Sequence, residues 1–85
     1  MSKVLLYTKS YCPYCRRALA LLKGKGVEFT NIDVTNDDRT FKAIKAKTGW
    51  DTVPQIFIND EFVGGCDDIH ELDRKGELDK LLSLK

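Results

Sequence analysis

With 85 residues, 42% of them apolar and 32% charged, the chain has material for one packed core and little room for a second, so a single domain over 1–85 is expected. Its formal charge of +1, from acids and bases mixed along the chain, removes the electrostatic reason to expect a nucleic acid or an anionic membrane as partner. Three cysteines without an export signal argue against a disulfide framework and for the reducing cytoplasm, where paired cysteines are catalytic or metal-binding.

Met1-Ser2-Lys3 is followed by a run, Val4 to Tyr7, far too short for a signal-peptide core or a membrane span. Val4-Leu5-Leu6-Tyr7-Thr8 predicts a buried strand. Cys12-Pro13 then opens a helix, since proline at the first helical position loses no hydrogen bond. Cys15, Ala18, Leu19 and Leu22 follow at i, i+3, i+4, i+7 as one apolar stripe, and Gly24 and Gly26 end the helix.

Val27 to Val34 predicts a second strand. Thr35-x-x-Asp38 has the form of a capping signal for a second helix carrying Phe41, Ala43 and Ile44 and ending at Gly49. A loop, Trp50 to Pro54, leads into the strand Gln55–Ile58, and Asn59-Asp60 turns into Glu61–Val63 as a hairpin. After Gly64-Gly65, a third helix starts at Asp67-Asp68 with Ile69 and Leu72 inward, and Leu78, Leu81 and Leu82 mark a last helical turn or two. The order β-α-β-α-β-β-α predicts an α/β fold with a partly parallel sheet, and Cys-x-x-Cys beside such a βαβ pattern is a thioredoxin-like redox signature.

Placed at a strand-to-helix junction, Cys12 sits beside unpaired backbone N–H groups and the positive end of the helix dipole. That position favours the thiolate and lowers the thiol pKa, with Lys9, Arg16 and Arg17 adding positive charge nearby. Cys15 lies one turn further on the apolar stripe, so it is expected to be buried and to stay a thiol. Cys12 attacks and Cys15 resolves. Lowering a thiol pKa from ~8.5 to ~5 raises its thiolate fraction at neutral pH about thirtyfold, but a Brønsted slope of ~0.4–0.5 removes a similar factor in nucleophilicity. The gain therefore lies in departure from a mixed disulfide and in a pocket that positions the donor thiol. Cys12-x-x-Cys15 with Cys66-x-x-x-His70 also reads as a Cys₃His zinc set, though Pro13 and a helix that starts inside the motif suit redox chemistry better.

The run Tyr11-Cys12-Pro13-Tyr14-Cys15 resembles the active site of dithiol glutaredoxins, and Thr52-Val53-Pro54 and Gly64-Gly65-Cys66-Asp67-Asp68 follow in that family's order. The likeness covers essentially the whole chain and is greatest to the small bacterial type. Thioredoxins carry Trp-Cys-Gly-Pro-Cys instead. The resemblance implies a thioredoxin-like fold with a mixed four-stranded sheet, and glutathione as co-substrate with no tightly bound cofactor. Partners would be disulfide-containing or glutathionylated proteins, with glutathione reductase and NADPH behind them.

It also implies a glutathione site. A cis Pro54, a modest cost before proline, would leave the Val53 N–H and C=O free to pair with an extended thiol peptide, with Thr52 beside them. Gly65 would let the backbone approach the ligand, and the amides of Cys66 and Asp67 would face its γ-glutamyl carboxylate at a helix start. Asp67 would take the ammonium group, Lys9 the glycine carboxylate, and Tyr14 would wall the sulfur site. Gly-Gly also reads as a turn, and Asp67 or Asp68 as a helix cap. Cys66 reads as a small buried hydrophobe, His70 as a solvated side chain, and Trp50 either as a contact for protein substrates or as partly packed. A monomer is the default expectation. A glutaredoxin-like protein reduced by thioredoxin reductase is the nearest alternative, and an iron–sulfur carrier holding its cluster through Cys12 and glutathione a more distant one, against which Pro13 and Cys15 weigh.

Overall fold

A computed structural model of the protein describes residues 3–83; Met1, Ser2 and residues 84 and 85, part of the expected 1–85 domain, lie outside them. The strand read from Val4-Leu5-Leu6-Tyr7-Thr8 is β1 (Val4–Thr8), which buries Val4, Leu6 and Thr8 on one face. It lies inside a four-stranded sheet of order β2-β1-β3-β4, with β2 (Thr30–Asp33), β3 (Gln55–Ile58) and β4 (Glu61–Gly64). β1 pairs parallel with β2 and antiparallel with β3, and β3 pairs antiparallel with β4. The mixed sheet is therefore as the element order requires: α1 (Pro13–Gly24) is the crossover between the parallel strands, and Asn59 and Asp60, both at positive φ, make the tight hairpin turn between β3 and β4.

Val4 and Leu6 of β1 and Ile56 and Ile58 of β3 meet Ala18 and Leu22 of α1, Cys66 and Ile69 of α3 (Cys66–Arg74), and Leu78 of α4 (Glu77–Leu81) in one core. The opposite face carries Gln55 and Phe57 and receives α2 (Asp38–Thr48). With helices on both faces, all four residues of β3 are buried. The Lys25 ammonium joins the carboxylates of Asp73 and Asp79, tying the far end of α1 to α3 and α4. No helix among the described residues is long and apolar enough to cross a membrane.

Three boundaries and the burial of one side chain differ from expectation. The strand predicted over Val27–Val34 pairs only at Thr30–Asp33; Val27 and Phe29 pack against the core without entering the sheet. Asp37, not Thr35, caps α2, accepting from the Thr40 N–H at 3.1 Å. The Thr35 hydroxyl is engaged by the Ser10 N–H at 2.8 Å and the Asp33 carboxylate, so it belongs to the turn that follows β2. α3 begins at Cys66, one residue before Asp67, with Gly65 as its N-cap. His70, expected in solvent, is half-buried, and its Nε2 finds no hydrogen-bond partner among the described residues.

Candidate active site and docking groove

Three chain segments converge at one end of α1. The first is the strand-to-helix turn that carries Cys12. Cys12 has extended backbone (φ −89°, ψ 115°) and is the N-cap of α1, with Pro13 as the first helical residue. Its sulfur accepts the Cys15 N–H at 3.3 Å, as a serine or aspartate oxygen does at other helix starts. Its thiol donates to the Val53 carbonyl at 3.8 Å. Cys12 is half-buried, whereas Cys15 is 1% exposed. Burial, together with the neighbouring Cys12 sulfur, pushes the Cys15 thiol from its ordinary 9.0 up to about 12, against a weaker pull from the Lys9 N–H, which donates to the Cys15 sulfur at 3.5 Å. One cysteine is open to a substrate and the next is held protonated behind it.

The second segment is the 50–54 loop, in which the Val53–Pro54 peptide is cis. Among the described residues the Val53 N–H has no hydrogen-bond partner, and Pro54 is buried while Thr52 is exposed. The third is the turn into α3. Its first two helical amides, Cys66 and Asp67, have no partner among the described residues, as a helix start requires. The Asp68 carboxylate folds back to accept the Gly65 N–H at 2.9 Å. Capping thus falls to Asp68 and leaves the exposed Asp67 free to face outward.

Tyr14, Trp50, Thr52, Val53, Pro54, Gly65, Cys66, Asp67 and Asp68 line a groove of about 310 Å³. On the other side of Thr52 and Val53, a second hollow of about 330 Å³ is lined by Lys9, Tyr11, Cys12, Pro13, Phe41 and Asp51. Of the residues predicted to attack, resolve or hold glutathione, all but the buried Cys15 therefore border one of two adjoining hollows that share the Thr52-Val53 ridge. Lys9 stands apart from the helix-start end, its ammonium 4.3 Å from the centroid of Phe41. Cys66 is buried, and desolvation raises its thiol pKa. Among the described residues no group of three or more His, Cys, Asp or Glu side chains is arranged to hold a metal ion, so the Cys12, Cys15, Cys66 and His70 set does not assemble.

The family model for glutaredoxin matches residues 4–63. The chain belongs to the glutaredoxin family. Glutaredoxin from Pseudomonas aeruginosa is 48% identical over 83 residues, covering 98% of this chain and 99% of that one. Glutaredoxin 3 of Escherichia coli K12 is 46% identical over 82 residues, covering 96% and 99%. Among solved structures, the buckwheat glutaredoxin–glutathione complex superposes with a TM-score of 0.91 at 32% identity, covering 96% of this chain and 77% of that one. The fold is thioredoxin-like, and the activity of the family is thiol–disulfide oxidoreduction.

Phe41 and Gln55 take roles that the sequence reading does not assign, and Asp68 takes the cap role it left open between two residues. Phe41 spaces with Ile44 as a core position on α2, yet its ring lies in the second hollow with the ammonium groups of Lys9 and Lys45 at 4.3 and 4.8 Å. Asp68 was separable from Asp67 only by the helix start at Cys66. Gln55, a polar residue inside an apolar strand, is the one whose signal was present in the sequence: it is 0% exposed and bonded on all sides. Trp50 packs edge-on against Phe62 at 5.1 Å and lines the groove.

Proposed function

We propose that this glutaredoxin is a single-domain, cytoplasmic, glutathione-dependent enzyme in which Cys12 is the attacking sulfur and Cys15 the resolving one. The observation that carries the reading is the Cys12 sulfur, in the second hollow, held against the carbonyl of Val53, a residue of the ridge shared with the groove that takes in the open start of α3. An extended γ-Glu-Cys-Gly chain fits that spacing of functions. The Val53 N–H and C=O pair with its cysteine backbone beside Thr52 and Pro54. The Cys66 and Asp67 amides meet its α-carboxylate next to Gly65, and the Asp67 carboxylate meets its ammonium group. Lys9 lies on the side of its glycine carboxylate, and Tyr14 walls the sulfur. The buckwheat relative of the same fold, solved with glutathione, supports this assignment.

With a glutathionylated protein, the Cys12 thiolate attacks the glutathione sulfur. The S–S bond breaks, the protein thiolate leaves and takes a proton, and Cys12 carries the glutathionyl group. A second glutathione attacks that sulfur, forms glutathione disulfide and returns the Cys12 thiolate. Cys15 is not needed. With a protein disulfide, Cys12 forms a mixed disulfide with the substrate. Cys15 gives up its proton, attacks the Cys12 sulfur and closes the Cys12–Cys15 disulfide, releasing the second substrate thiol. Two glutathiones reopen it, and glutathione reductase with NADPH restores them. Glutathione is co-substrate, and no bound cofactor enters either route.

The test is turnover of a glutathione mixed disulfide with glutathione, glutathione reductase and NADPH, beside the same assay driven by thioredoxin reductase. Activity is expected with the first system and its loss, by more than a hundredfold, in Cys12→Ser. Retained turnover in that variant, or reduction by thioredoxin reductase alone, would falsify the reading.

A further inference from the structure

Gln55 lies on β3 with no solvent exposure, where a primary amide must place two N–H donors and a carbonyl acceptor within the protein. It does so completely. Its Nε2 donates to the Trp50 carbonyl at 2.8 Å and the Thr52 carbonyl at 3.1 Å. Both partners are acceptors only, which fixes the orientation of the amide. Its Oε1 accepts the Thr48 hydroxyl at 2.8 Å, which divides its one proton between this amide and the Ile44 carbonyl at 3.0 Å, and the same hydroxyl oxygen accepts the Trp50 N–H at 3.1 Å. The result is a closed ring of bonds from the last residue of α2 through the loop to β3.

The consequence lies in one peptide plane. The Thr52 carbonyl and the Val53 N–H belong to the same peptide unit, and the only cis bond among the described residues is the next one, Val53–Pro54. In a trans peptide C=O and N–H point in opposite directions. Holding the Thr52 oxygen inward on Gln55 therefore turns the Val53 N–H outward, to the groove, where it has no partner among the described residues. We propose that Gln55 is the positioning residue for glutathione recognition: its buried amide fixes the Thr52–Val53 peptide so that Val53 presents its backbone to the cysteine of the tripeptide. This rests on the glutathione reading above and assigns that specificity to a side chain that touches neither substrate nor Cys12.

Gln55→Met keeps the length of the side chain and removes its hydrogen bonds, freeing the 52–53 peptide to rotate. The readout is a selectivity ratio, the rate for one peptide carrying a glutathionyl disulfide divided by that for the same peptide carrying a 2-mercaptoethanol disulfide. Only the first offers a tripeptide backbone to Val53. Loss of an aimed hydrogen bond lowers the ratio about tenfold, while alkylation of Cys12 by iodoacetamide stays within about twofold of the parent chain. A purely structural residue would lower the melting temperature and move both disulfides together. Thr48→Val, which removes the other anchor of the ring outside the buried core, is expected to lower the ratio in the same direction by about threefold, and it decides the matter if Gln55→Met does not fold by circular dichroism. A parent ratio near one overturns the glutathione reading itself. A high parent ratio left unchanged in the folded variants overturns only the role of Gln55.

Discussion

The two walls of the groove are built in opposite ways. In the wall proposed to carry the chemistry, residues 9–15, the Cys12 and Cys15 sulfurs make contacts of 3.3 to 3.8 Å, while the backbone is fixed by the Ser10 N–H on the Thr35 hydroxyl at 2.8 Å and the Cys12 N–H on the Lys9 carbonyl at 3.2 Å. The wall proposed to dock glutathione, residues 50–54 and 64–68, is held by nitrogen–oxygen and oxygen–oxygen bonds of 2.8 to 3.1 Å centred on Gln55 and by the Asp68 carboxylate. Held only by such single contacts, a sulfur is free to change partners in every cycle. Short bonds to buried backbone keep the ligand's partners in place while it does so.

The largest expected effect breaks the first wall alone. In Cys15→Ser the resolving sulfur is gone but the Cys12 cap and the docking wall are untouched. Reduction of protein disulfides is expected to fall by at least a hundredfold, while glutathione mixed disulfides are turned over at or near the parent rate. Equal loss of both, measured side by side in the glutathione reductase-coupled assay, would show that the two cysteines act as one unit and that the walls do not separate.

A smaller effect separates two neighbouring glycines of the second wall. Gly64 sits at φ +117°, and a Cβ there would overlap the Asp68 carboxylate that receives the Gly65 N–H. Gly64→Ala is expected to cost about 1–3 kcal/mol of stability from the backbone conformation alone, read as a lower urea midpoint. Gly65 has an extended backbone that any residue adopts (φ −111°), and its Cβ would stand 3.2 Å from the Pro54 carbonyl and 3.3 Å from the Trp50 ring. Gly65→Ala is expected to leave the urea midpoint within about 1 kcal/mol of the parent, but to weaken glutathione-dependent turnover by narrowing the groove. If both variants lose only stability, the groove is not a docking surface.

What could be read from the sequence divides along the same line. β1, the Cys12-Pro13 helix start and the Asn59-Asp60 hairpin are local matters of apolar runs, proline geometry and turn residues, and the structure places them where the sequence does. Sulfur positions follow from helix spacing, so the exposed and buried cysteines were distinguishable as well. Elsewhere the outcome depends on contacts between residues that no period relates. Thr35 has the chemistry of a cap, but Ser10, from the other side of the sheet edge, engages its hydroxyl first. Phe41 has the spacing of a core residue, but Lys9 from the end of β1 holds its ring in the hollow. Val27 and Phe29 have strand propensity, but β1 offers β2 pairing only at Leu5 to Thr8. Each was decided by a partner distant in sequence, which a single chain does not display.

The smallest effect tests how dry the first wall is behind Cys12. Burial raises the Cys15 thiol from 9.0 to about 12, so the folded chain holds that proton more tightly than the unfolded one. The corresponding stability is complete below about pH 9, where both forms are protonated, and is lost as the pH climbs toward 12. One pH unit above the unfolded value, near pH 10, the loss amounts to about 1 kcal/mol, a fall in melting temperature of roughly 4–8 °C for a domain of this size. Other groups titrate in the same range, so the quantity to compare is the difference in slope between the parent chain and Cys15→Ala from pH 8 to 10. A steeper fall in the parent chain means that the resolving thiol is sealed until Cys12 carries a substrate. Parallel curves mean that water reaches Cys15 in the resting protein, and the contrast between an open attacking sulfur and a protected resolving one would have to be abandoned.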